Sequence, residues 1–101
     1  MAYQAYSEWN EENEIRCLLI FKKLVAESFP RGRQMSYCRA MARETNLSAE
    51  NISAKVSNFK SVAGVNNPSN ASSNTKRIYE AYGHLGISEL ENVIKSGGIK
   101  K

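Results

Sequence analysis

The chain has 101 residues, a net charge of +4 and a charged fraction of 24%, the size and composition of one small globular domain rather than a disordered one. All ten acidic residues are Glu, there is no Asp, and His84 is the single histidine, so most templates for metal-assisted hydrolysis, phosphoryl transfer or triad chemistry, which need clustered Asp, Glu or His, cannot be filled. Cys17, Cys38 and His84 fall one ligand short of a closed structural zinc site and two cysteines make no disulfide scaffold.

These absences point to a binding protein with no cofactor and no metal rather than an enzyme. No apolar run reaches 18 residues, so no membrane span is expected, and the first residues lack the basic and apolar regions of a signal peptide. The expected compartment is the cytoplasm.

In chain order, residues 1–7 read as frayed, as does the end from 97 to 101, leaving a core of about 9–95. Ser7 or Asn10 is placed to cap a first helix, with Glu11, Glu12 and Glu14 in its opening turn, running to about Ser28. Cys17, Leu18, Ile20, Phe21, Leu24 and Val25 share its broad apolar face, and Trp9 reads as a lid on the core. Ile15 and Leu19 fall off that face, which predicts contact from two sides or an apolar pair open to a partner. Phe29-Pro30-Arg31-Gly32 ends the helix.

A second helix is predicted over 34–45, with Met35, Cys38, Met41 and Ala42 as its stripe and Arg39 and Arg43 on another face. Asn46-Leu47-Ser48 forms the turn, with Asn46 left-handed and Ser48 the next N-cap. The third helix spans about 49–60. Ile52, Val56 and Phe59 face the core, so Glu50, Ala54, Ser57 and Asn58 point outward, flanked by Asn51, Ser53, Lys55 and Lys60. Residues 61–74 are an Asn/Ser-rich loop. A fourth helix follows from Thr75 to about Leu85, with Ile78, Tyr79, Tyr82 and Leu85 inward and Gly86 as its stop. Ser88, with Glu91 in the capping-box position, opens a short fifth helix that Gly97-Gly98 ends. The fold class is all-α, an orthogonal bundle of four to five helices in a single domain.

Charge is unevenly placed: residues 1–30 carry five acidic groups against three basic, whereas 31–77 carry eight basic against two acidic. A basic middle is the electrostatic footprint of a phosphate-backbone binder. Residues 34–60 also have the layout of a helix-turn-helix, with Ala42 as the small residue, Asn46 at the turn, and Leu47 and Ile52 as anchors. On that layout the helix at 49–60 enters the major groove of double-stranded DNA. Asn51, Ser53, Ser57 and Asn58 supply short polar groups for base edges, with Lys55 beside them. Arg31, Arg33, Arg39, Arg43 and Lys60 meet phosphates, as the loop at 66–74 and the tail Lys100-Lys101 do more weakly. The alternative is a non-catalytic protein-interaction module of a bacterial or phage defence or regulatory system, or one that pairs with a second copy as a homodimer.

Several segments carry a resemblance. They are Trp9 followed by Glu11 and Glu14, Leu18-Leu19-Ile20-Phe21, and Leu47-Ser48 leading into Ser53-Ala54-Lys55-Val56-Ser57-Asn58-Phe59. Gly64, Asn66, Asn67 and Ser69 follow, then Ile78-Tyr79-Glu80-Ala81-Tyr82. Over most of its length the chain resembles the small helical module at the N-terminal side of some bacterial HNH-type restriction endonucleases. The resemblance implies a DNA-recognition role resting on Ser53, Lys55, Ser57 and Asn58. It implies no cleavage, because the residues of an HNH centre and its zinc are missing.

Overall fold

The computed structural model describes residues 11–64 and 73–95, and among them there are five α-helices and no strand. They are α1 (Glu11–Ala26), α2 (Arg33–Glu44), α3 (Ala49–Val62), α4 (Ser73–Tyr82) and α5 (Ile87–Lys95). The expected all-α bundle is therefore present. The candidate caps Ser7 and Asn10, Trp9, most of the Asn/Ser loop and the basic tail lie outside the described residues.

The first helix is the hub. It packs against all four others, while α3 also packs on α2 and α4. Its apolar positions explain why. Cys17, Leu18, Ile20, Phe21 and Leu24 are buried, and so is Ile15, although it falls off the apolar face expected from the sequence. Ile15 is fully enclosed and Leu19 half-buried, so they form no exposed apolar pair. Helices on several sides of α1 consume both. Val25, expected in the core, is instead 46% exposed, because it sits in the last turn, where the chain leaves α1.

That exit has a specific shape. The amide of Phe29 donates to the carbonyl of Leu24 (2.8 Å) and that of Ser28 to Val25 (3.1 Å), the paired bonds of a Schellman ending. Ser28 (φ 62°) and Phe29 (φ 55°) are both left-handed, although neither is glycine. The Phe29 ring is held in return: it packs against Phe21, centroids 6.5 Å apart, with the Lys60 ammonium 5.2 Å from its centre.

The turn between α2 and α3 departs from expectation. Asn46 does not take the left-handed conformation; Ser28 and Phe29 are the non-glycine residues that do among those described. Thr45 shapes the turn instead. Its backbone is extended (φ −135°, ψ 178°), its hydroxyl donates to the Met41 carbonyl (3.1 Å), and it accepts from the amide of Leu47 (3.2 Å). Leu47 is buried under the turn, and Ser48 caps α3 as predicted by accepting from the Asn51 amide (3.1 Å). Ile52, Val56 and Phe59 are all fully buried. The third helix runs two residues further than the pattern suggested and ends at Gly64, whose φ of 80° favours a residue without Cβ.

The fourth helix ends earlier than expected, at Tyr82, which leaves Leu85 in the connection. Gly83 follows, its amide donating to the Tyr79 carbonyl (2.7 Å), and a Cβ there would run into that carbonyl and the Tyr79 ring. The cap of α5 is also shifted by two residues. Glu89, not Glu91, reaches back to accept from a backbone amide, that of Gly86 (2.8 Å), and Ser88 lies within the helix. Glu91 instead pairs with Lys23 on α1 (3.7 Å).

Two substitutions test this description. Ser28→Gly relieves one left-handed residue and is expected to raise stability by about 0.5–1 kcal/mol, after the entropy that glycine adds to the unfolded chain. Gly83→Ala is expected to lower it by about 1–3 kcal/mol through overpacking against Tyr79. Chemical denaturation of both variants reads these directly, and the opposite signs would show that the two connections are wrongly described.

Candidate nucleic-acid interface

The second and third helices form the closest pair, and the side chains between them decide which predicted residues face outward. Gln34, in the first turn of α2, crosses to α3. Its carboxamide donates to the Ser53 hydroxyl (2.9 Å) and carbonyl (3.2 Å) and lies 3.4 Å from the Ser57 hydroxyl. Ser53 and Ser57 therefore belong to the α2–α3 seam, not to a free face.

Lys55 is turned inward. Its side chain is 13% exposed, and its ammonium lies 3.5 Å from the Glu14 carboxylate on α1 and 3.3 Å from the Thr75 hydroxyl on α4. Glu14 is 1% exposed and Thr75 fully buried. Burial pushes the Glu14 carboxyl above the ordinary carboxylate range, and the Lys55 charge opposes that shift. The expected placement of Lys55 on the outer face does not hold: its charge is used to neutralise a carboxylate inside the protein.

Arg33 is also engaged. Its guanidinium meets Glu27 (3.3 Å), and the same carboxylate accepts from the Tyr37 hydroxyl, a bond that raises the tyrosine's pKa. What remains outward on α3 is Glu50, Asn51 and Ala54, with Asn58 half-buried.

Arg31, Arg39 and Arg43 are exposed and have no carboxylate partner among the described residues. The nearby carboxylates are committed elsewhere. Arg16 of α1 binds both Glu12 (3.1 Å) and Glu44 (3.3 Å), and Glu27 is held by Arg33 and Tyr37. Lys60 lies over Phe29 and, like Arg39, is close enough to Cys38 to pull its pKa down against the rise caused by burial. Both cations thus flank the α2–α3 seam.

Cys17 and Cys38 are free, buried thiols, and burial raises both pKa values, as expected of inert core cysteines. His84 is exposed just beyond α4. Among the described residues no group of three or more His, Cys, Asp or Glu is placed to hold a metal, and no helix is long and apolar enough to cross a membrane. The sequence reading did not single out Gln34, Thr45 or Glu14 as structural polar groups. Glu14 carried a usable signal: it sits beside Ile15 and one turn before Leu18, on the side of α1 that must be buried.

Comparison of the chain with protein-family models, with curated proteins and with solved structures finds no match. The resemblance to the HNH-associated module therefore rests on the residues quoted for it.

The inward Lys55 gives a pH-signed test. Lys55→Met leaves the Glu14 carboxylate buried without its cation and is expected to cost about 3–5 kcal/mol near pH 7. Protonating Glu14 removes that charge, and its folded-state pKa lies above its ordinary value of 4.5. Removing Lys55 raises that folded-state value further, so the cost should shrink as the pH falls from the variant's higher pKa through the wild type's, and stay level below it. Urea titrations at about pH 7 and about pH 4 check this, and an equal cost at each would show that Lys55 does not compensate Glu14.

Proposed function

We propose that this chain is a small, non-catalytic double-stranded DNA-binding protein that uses the helical pair α2–α3 as its contact surface. One observation carries the reading: among the described residues Arg31, Arg39 and Arg43 stand exposed with no carboxylate partner, while Glu12 and Glu44 are held by Arg16 and Glu27 by Arg33 and Tyr37. Uncompensated cations on one helical unit are suited to a polyanion with regularly spaced charges. The outward residues of α3, Asn51, Ala54 and Asn58, are small or short and polar, so they let a phosphate backbone or groove edge approach. The resemblance to the HNH-associated module supports the same reading.

A second reading has its own observation. A groove of about 720 Å³ runs between α1, α2 and α5, floored by Leu19, Ile20 and Met41 and flanked by Tyr37 and Ile94. A groove of that character also suits a protein partner.

The expected outcome is salt-sensitive binding to duplex DNA. Three to four phosphate contacts give a slope of log affinity against log salt of about −3 to −4. Fluorescence anisotropy across a salt series measures it. Absence of binding at low salt up to tens of micromolar protein, roughly the range of weak non-specific complexes, would transfer the function to the protein-interaction reading.

A further inference from the structure

The helix that follows the turn is the usual candidate for groove insertion, but the charges on this pair are distributed the other way. We infer that α2, through an Arg39–Arg43 ridge, carries the affinity for nucleic acid, and that the protein binds duplex DNA by its phosphates with little regard to sequence. This inference rests on the DNA-binding reading above and says which helix docks and what it recognises.

Four observations lead to it. Lys55, the cation expected on the flank of α3, is spent on Glu14 inside the bundle. The seryl hydroxyls expected to reach bases are engaged by Gln34. The exposed first turn of α3 carries a carboxylate, Glu50, which would repel a phosphate strand. By contrast, the outer face of α2 carries Ser36, Arg39, Ala40 and Arg43, all exposed, and its one carboxylate, Glu44, is tied to Arg16.

Arg39 and Arg43 are four residues apart, so they project from one side of the helix about 6 Å from each other along its axis. Like charges at this spacing weaken a helix, a cost that a polyanion on this face would reverse. Arg31, before the helix, extends the same uncompensated charge toward its N-terminal end. Ser36 and Ala40, between the arginines, are small enough to leave the phosphate strand free access. Arg39 and Arg43 can each pair a guanine edge as well as a phosphate, but beside them stand only Ser36 and Ala40, which supply no planar group for a neighbouring base pair. The carboxamides suited to adenine, Asn51 and Asn58, are on α3, with no cation beside them on the outward face.

The test uses the full chain and anisotropy with two 20-base-pair duplexes of unrelated sequence. One double variant is Arg39→Gln with Arg43→Gln; the other is Asn51→Ala with Asn58→Ala. Thermal melts confirm that both remain folded, as exposed or half-exposed positions allow. The wild type should bind the two duplexes within about threefold of each other, since phosphate contacts carry no sequence information. The arginine variant should lose about tenfold or more in affinity, and its salt slope should become shallower by about 2. The asparagine variant should stay within about twofold of wild type, as expected where no base is read.

If the arginine variant binds like wild type and the asparagine variant does not, α3 docks and the inference falls while the DNA-binding reading stands. A preference of about a hundredfold for one duplex would likewise overturn it, since such a ratio requires base readout. If the wild type binds neither duplex at low salt, the DNA-binding reading itself is wrong and the inference falls with it.

Discussion

The contact on which this bundle depends is the ion pair between Glu14 and Lys55. It joins α1 to α3, and through the Thr75 hydroxyl it reaches α4, so three helices share one polar anchor inside an otherwise apolar core. Burying two charges is expensive, and their attraction offsets that cost only when the geometry leaves little unsatisfied. Here one carboxylate oxygen of Glu14 has no hydrogen-bond partner. The pair therefore adds little net stability and instead fixes geometry. With Lys55 turned inward between the α1 and α4 contacts, α3 can present only one arc to solvent, that of Glu50, Asn51, Ala54 and Asn58.

The same economy of charge governs the outside. Arg16 gathers two carboxylates, Arg33 and Tyr37 share a third, and Lys23 holds a fourth on α5. Exposed pairs of this kind add little to stability. Their consequence is electrostatic: neutralised locally, these carboxylates do not screen the arginines on α2 and in the turn before it.

Hydrophobic periodicity made the helices legible, and where a helix was strongly amphipathic its core residues were read correctly: Ile52, Val56 and Phe59 are all buried. The cap at Ser48 was legible because a serine before an apolar pattern has a local physical role. What could not be read were features set by neighbours distant in sequence. Ile15 looked off-face because one apolar arc was assumed, whereas α1 is covered by four helices. Lys55 looked exposed because a lysine beside polar residues ordinarily is, and its partner lies 41 positions away. Ser53 and Ser57 looked available until Gln34 reached them from α2. The turn chemistry was misread for another reason: Asn46 and Thr45 both satisfy turn preferences, and the side-chain bonds of Thr45 to Met41 and Leu47 decided between them.

The position of α5 has a dynamic consequence. It leans chiefly on α1, with Leu90 as its fully buried anchor and the Lys23–Glu91 salt bridge across that contact. A nine-residue helix held on one side opens at a lower free energy than the whole molecule unfolds, so its amides should exchange with solvent ahead of those of α1 and α3. Such an opening leaves the α1–α3–α4 anchor untouched. It would uncover Leu19 and Ile20, the apolar floor of the groove that α5 borders.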